Sequence, residues 1–171
     1  MRSPSQDKSS PTSPCDNSMN TRDIVQFLHH DIHTHRIFAG VYVRDELPAR
    51  NILGRSIYVI NTDRQSGSGV HWVAVYFDGK RRAEYFDSYG RPPLNVEIEH
   101  FILRNSDTYI YNTRLLQNFI SAACGYYVIY FAQRKRRGIP LKSVLKPFHA
   151  TNLWFNDRKV WTLIQQEIGR R

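Results

Sequence analysis

Cys124 stands where a run of small residues, Ser121-Ala122-Ala123, gives way to an apolar segment of helical character centred on Tyr127 to Phe131. A cysteine at a helix start meets unpaired backbone N–H groups and the positive end of the helix dipole, which stabilise a thiolate. Such a sulfur can act as a nucleophile when a base lies beside it and a third group orients the base. His71 and Asp87 are candidates for those two roles. His71 falls in a segment that reads as a central strand, and Asp87 follows the segment that would pair back on it, so hairpin pairing draws the two side chains together. Taken singly, each has an ordinary alternative: an inert buried cysteine, a satisfied core histidine, a turn aspartate.

The elements that must position these residues are legible to different degrees. Asn20 or Thr21 can cap a helix whose apolar positions Ile24, Phe27 and Leu28 share one face. From Phe38 through Gly40, Val41 and Pro48 no clear period emerges until Ile57 to Ile60, a β-branched and aromatic run that reads as a strand. Val70 to Phe77 is apolar on both faces and fits a buried strand. Asp78-Gly79 supplies a tight turn into a partner strand, Ala83 to Phe86, after which Gly90, Pro92 and Pro93 turn the chain and pre-set a helix carrying Ile98, Phe101 and Ile102 inward. Tyr109 to Tyr111 is a brief strand. Ala122 to Arg137 is the strongest helix, apolar round most of its girth and therefore buried, with Gly138 as its C-cap. A short turn at Leu141 to Lys146 and a last helix from about Asn156 to Ile168 complete an α+β fold in which a central helix packs on a mixed sheet.

His71-Trp72, then Phe86-Asp87-Ser88-Tyr89-Gly90, then Gln117 upstream of Ser121-Ala122-Ala123-Cys124-Gly125 resemble the adenovirus protease (adenain) family and its relatives in Maverick or Polinton elements. The chain is more distantly similar to the Ulp-type SUMO proteases. Phe38-Ala39-Gly40-Val41-Tyr42 and Ile60-Asn61-Thr62 also look like adenain segments, so the resemblance spans most of Thr21 to Tyr130. It implies a cysteine endopeptidase with Cys124 as nucleophile, His71 as general base and then acid, Asp87 orienting His71, and Gln117 donating its side-chain amide to the oxyanion beside the Cys124 backbone N–H. Adenain has Glu where Asp87 stands, and Ulp-type enzymes have Asp. Trp72 would wall the substrate groove. By the same resemblance the substrates are capsid or core precursors cut at glycine-containing sites, with maturation in the host nucleus or the virion. Adenain takes an activating peptide through a disulfide, but Ser106-Asp107-Thr108 in the corresponding neighbourhood holds no cysteine. No cofactor is expected, and DNA or a peptide is left as a non-covalent activator.

With 171 residues, 41% hydrophobic and 13% aromatic, the chain can build one sizeable core, and most of it should be ordered. The Ser- and Pro-rich stretch Met1 to Asn20 reads as a flexible tail before a protease domain at 21–171. Neither a membrane span nor a secretory signal is visible, and two cysteines make no disulfide framework, so a reducing, intracellular setting and a monomer are expected. Twenty-four Lys and Arg against fifteen Asp and Glu give +9, a field that attracts polyanions. Lys80-Arg81-Arg82 on the hairpin and Arg134-Lys135-Arg136-Arg137 at the helix end are the candidate sites for non-specific DNA binding. A solvated helix cap is the alternative for the second run. His29, His30, His33 and His35 lack a completing motif, so no metal is expected. Two readings compete with the endopeptidase: a protease of the same fold that removes SUMO or ubiquitin, and a catalytically silent module that binds nucleic acid. The intact set of His71, Asp87, Gln117 and Cys124 argues against the silent module.

Overall fold

The computed structural model describes residues 18–31 and 34–168, so the expected tail up to residue 17, Cys15 and His33 lie outside the described residues. Helix α1 (Thr21–His30) opens with a reciprocal cap in which Asn20 Oδ1 accepts from the Asp23 N–H and Asp23 Oδ2 from the Asn20 N–H. A 3-10 turn (Thr34–Arg36) leads into β1 (Phe38–Val43), followed by β2 (Arg55–Asn61), β3 (Trp72–Asp78) and β4 (Arg82–Phe86). After α2 (Val96–Asn105) and β5 (Thr108–Tyr111) come α3 (Cys124–Arg136), the single turn α4 (Leu141–Val144) and α5 (Leu153–Ile168).

The strands form one sheet in the order β1-β2-β3-β4-β5, with β1 and β5 parallel to their neighbours and the three inner strands antiparallel. Strand alternation sorts the core into two layers. Ile57, Val59, Ala74, Tyr76 and Phe86 face α3, whereas Tyr58, Val73, Val75, Phe77 and Tyr85 face α2 with its Ile98, Phe101 and Ile102. Helix α3 is covered nearly all round, and Phe131 stacks on Phe86 with ring centroids 4.7 Å apart. That stack fixes the height of α3 above the strand leading to Asp87. Among the described residues no helix is long and apolar enough to cross a membrane.

Several boundaries differ from the sequence expectations, each for a physical reason. Strand β1 carried no readable period because it is an edge strand, mostly half-buried, with a register break between Phe38 and Gly40. The central strand begins at Trp72 rather than Val70, and Val70 is exposed. Helix α2 starts at Val96, beyond the two prolines. Helix α3 begins at Cys124, two residues later than expected, which puts the cysteine in its first turn. Leu141–Val144 is a helical turn rather than a plain one. Helix α5 begins at Leu153 because Asn152 Oδ1 accepts from the Phe155 N–H. Asn156, the expected start, is instead buried and binds the backbone of His149 and Leu116.

Candidate active site

The backbone register delivers His71 to Asp87. Ala74 opposes Phe86 across the β3/β4 ladder, and the carbonyl of His71, one residue before β3, accepts from the Thr62 N–H at 2.9 Å, so His71 continues the strand's direction. His71 Nε2 lies 2.7 Å from Asp87 Oδ1. The same carboxylate oxygen accepts the Tyr89 N–H at 2.8 Å, and Asn112 holds the Asp87 backbone at both ends, with its Oδ1 accepting from the Asp87 N–H at 3.0 Å and its Nδ2 donating to the Asp87 carbonyl at 2.6 Å. Asp87 is therefore buried and fully oriented. The other ring nitrogen, Nδ1, is free of Asp87 and is the proton carrier for the Cys124 sulfur, which lines the same cleft.

Burial works against a charged His71, but the hydrogen bonds to Asp87 and Cys124 and the charges of both outweigh it and hold the ring's pKa up at about 9. At neutral pH the imidazole is an imidazolium. A group with its folded pKa raised from 6.5 to about 9 contributes stability that is complete below pH 6.5 and lost as pH rises through 9. The melting temperature of the protein should therefore fall between pH 6.5 and 9, and His71→Gln should remove that part of the slope. Parallel slopes for the two proteins in calorimetry would contradict the charge state.

Gln117 approaches from the other side. Its segment hangs on the turn after Asp87, for the N–H groups of Leu116 and Gln117 both donate to the Ser88 carbonyl at 2.8 and 3.1 Å. The Ser88 hydroxyl donates to Gln117 Oε1 at 2.7 Å, and Gln117 Nε2 donates to the Ser121 carbonyl at 2.8 Å. An amide NH2 carries two hydrogens. One is spent on Ser121, and one remains for the cleft that Gln117 lines beside Cys124. The Cys124 N–H, in the first turn of α3, has no partner within the helix and supplies a second donor.

Helix α5 closes the back of this loop. Asp157, fully buried, accepts from the Asn118 N–H at 3.2 Å and the Tyr127 hydroxyl at 3.0 Å, while Asn156 Nδ2 donates to the Leu116 carbonyl at 3.1 Å. Burial raises the Asp157 carboxyl above its ordinary value despite bonds from Ser121, Tyr127 and Asn118. The turn at Gly90 is equally constrained: at φ +69° a side chain is strained, and a Cβ would lie 2.5 Å from the Arg114 carbonyl carbon.

The cleft holds about 740 Å³. Trp72 forms part of its wall and is mostly buried, its Nε1 donating to the Met19 carbonyl at 2.8 Å. Val70, Phe119 and Ile120 leave apolar surface exposed along it. One groove thus brings together a sulfur, a charged imidazole and two N–H donors.

The sequence matches no protein-family model and no curated protein. Solved structures do match. The chain is similar to the ASFV pS273R protease, at 15% identity over 89% of this chain and 69% of that one, with a TM-score of 0.62. It is also similar to the SUMO protease Ulp1 with its catalytic cysteine oxidised to a sulfenic acid, at 15% identity over 91% of this chain and 80% of that one, with a TM-score of 0.50. The fold is that of the adenain/Ulp-type cysteine proteases. The central domain of the Legionella pneumophila protein Lpg1148 is similar at 15% identity over 88% and 96% of the two chains, with a TM-score of 0.50.

Within this adenain/Ulp fold, three groups that sequence reasoning missed complete the site: Ser88, Tyr89 and Asn112. Ser88 and Tyr89 sit inside the Phe86 to Gly90 block, where only Asp87 was assigned a role, whereas Asn112 carries no motif at all. The basic residues are differently placed from the expectation. Lys135 is buried, its ammonium donating to Glu84 Oε1 at 2.8 Å and the Ile139 carbonyl at 2.9 Å, so it cannot meet a phosphate. Arg136 pairs with Asp31 and Arg137 with Glu167, while Arg134 lies over the Tyr130 ring. The run is woven into the fold because α3 is buried to its last turn. On the hairpin, Lys80, Arg81 and Arg82 are exposed, with Arg81 on Asp107 and Arg82 on Asp78. His30 Nδ1 contacts the Gln26 carbonyl and His29 packs edge-on to Phe38. Among the described residues no group of three or more His, Cys, Asp or Glu is arranged to hold a metal ion.

Proposed function

We propose that this chain is a cysteine endopeptidase. The observation that carries the reading is the His71–Asp87 pair opening onto one cleft that Cys124 and Gln117 also line. Cys124 Sγ attacks the scissile carbonyl carbon, and the oxygen gains negative charge opposite the Gln117 amide and the Cys124 N–H. His71 gives its Nδ1 proton to the leaving amine as the C–N bond breaks, leaving a thioester. Water then attacks that carbonyl with neutral His71 taking its proton, the C–S bond breaks, and the carboxylic acid departs.

The substrates in this reading are capsid or core precursors of a virus or mobile element, cut at glycine-containing sites in the host nucleus or inside the particle. The likeness to a viral protease and the adenain-like motifs support it. The enzyme works as a monomer without a cofactor. A second reading, removal of SUMO or ubiquitin, draws on the likeness to Ulp1. Incubation with glycine-rich precursor peptides and, in parallel, with ubiquitin and SUMO fusions, followed by mass spectrometry of the new ends, tests both. Cuts in the precursor peptides support the first reading, cuts confined to the fusions establish the second, and no cut in either overturns the endopeptidase.

Sequence-independent DNA binding belongs to the same proposal, supported by the +9 charge and the exposed hairpin Lys80, Arg81 and Arg82. Affinity for duplex DNA should fall steeply with salt, with a log–log slope that loses about 0.9 for each phosphate contact removed. The triple variant Lys80→Ala, Arg81→Ala, Arg82→Ala should flatten that slope by about 2 to 3. An unchanged slope would place the contact elsewhere.

A further inference from the structure

His71 has a face as well as two nitrogens. The Tyr89 ring lies against it with centroids 4.6 Å apart and planes 25° from parallel. Phe119 stacks on Tyr89 in turn at 5.7 Å and 17°, and the Arg91 guanidinium carbon stands 5.3 Å from the Tyr89 ring centre. The backbone leaves Tyr89 little choice of place, for its N–H is bound to Asp87 Oδ1, the same oxygen that holds His71 Nε2. Gly90, locked against Arg114, prevents the turn from relaxing outward. Tyr89 also lines the cleft, as does Phe119, whose ring is largely exposed.

An imidazole bonded at Nε2 alone can still swing about that bond. Its Nδ1 must serve two partners in sequence, the Cys124 sulfur and the departing amine, and both transfers need the ring plane fixed. From this geometry we infer that Tyr89 is a positioning residue whose ring serves as a back-plate for the His71 imidazole, with Phe119 bracing it from the substrate side. The inference rests on the endopeptidase reading and adds to it the part of the machine that sets the base's plane. The face of an aromatic ring also favours a cation, so the plate stabilises the imidazolium, and it keeps water from the His71–Asp87 contact. The charged groups around this pair are Asp87 and Cys124 on the imidazole, with Arg91 and Asp157 acting on Tyr89.

The test uses Tyr89→Ala, Tyr89→Phe and Phe119→Ala in the full chain, with two readouts. On a cleaved peptide, Tyr89→Ala should lower kcat about 10- to 100-fold with KM changed by less than about threefold, and Tyr89→Phe should recover most of the loss because the stacking face remains. Phe119→Ala should give a smaller fall of the same kind. Without any substrate, the pH dependence of Cys124 alkylation by iodoacetamide reads the sulfur–imidazole pair directly. The alkaline inflection that belongs to the imidazolium should move to lower pH in Tyr89→Ala, because the cation loses the ring face and water screens the Asp87 charge by more than it relieves the burial, and should stay in place in Tyr89→Phe. An unmoved inflection in a folded Tyr89→Ala protein overturns the inference, as does a Tyr89→Phe variant as impaired as Tyr89→Ala. If Tyr89→Ala unfolds, Phe119→Ala decides by the same alkylation inflection, which must shift in the same direction. A shifted inflection in Tyr89→Ala, together with a parent that cuts no peptide, would leave the back-plate standing and remove the endopeptidase reading instead.

Discussion

Cys124→Ala should abolish peptide cleavage, with kcat expected to fall by about 10,000-fold or more, while the melting temperature should stay within a few degrees of the parent. The activity loss follows because Sγ is the atom that bonds the substrate, and neither the His71 imidazolium nor the Gln117 amide can replace it. The fold survives because alanine keeps the Cβ at the half-buried first position of α3, and the packing of that helix depends on Phe131, Val128 and Tyr127 further along. Turnover of a fluorogenic peptide together with calorimetry separates the two effects. An alanine variant that still cuts would remove Cys124 from the mechanism.

His71→Ala should cost nearly as much, because nucleophile and base act as one unit and the loss of either disables both. The double variant with Cys124→Ala should then be no slower than either single one. Asp87→Asn is expected to fall by about 10- to 1,000-fold, a smaller loss, since Asn112 and the Tyr89 N–H still fix the residue's position and an amide oxygen can still accept from Nε2. What the amide lacks is the charge that keeps the imidazolium at its raised pKa, so the alkaline limb of the pH–rate profile should move down from about 9 toward 6.5. Full activity in Asp87→Asn would mean that another group orients His71.

The parts of this molecule most legible in sequence are those with strong local signals. Helix α3 announced itself through an unbroken apolar run, α1 through its cap, and the β3/β4 hairpin through an all-apolar strand followed by the turn residues Asp78-Gly79. The candidate residues His71, Asp87, Gln117 and Cys124 stood out through motif order, and the structure gathers them from the residue before β3, the turn after β4, the 117 loop and the start of α3. Contacts made by residues far apart in sequence were invisible. Nothing local distinguishes Asn112 from a loop asparagine, because its role exists only once β5 has docked beside β4. Asn156, where the last helix was expected to start, was misread for a related reason: only tertiary packing shows that it is a buried bracket for the 116 loop. Of the basic run at Arg134, the place of Lys135 was misread, because a charge count cannot see Glu84 waiting across the fold to hold it buried.

The anchoring of the Gln117 loop by Asn156 and Asp157 also gives the molecule a clock. Synthesis proceeds at about 5–20 residues per second, so those two residues are made a few seconds after Cys124. During that interval the nucleophile, the base and its aspartate already exist in the chain, and Ser88 and Tyr127 are there to hold Leu116 and Gln117, but the N–H of Asn118 lacks Asp157 and the Leu116 carbonyl lacks its second donor, Asn156. The last bonds that fasten the loop around Gln117 come from α5. The bracing of that loop is therefore complete only once α5, among the last elements to be made, has docked.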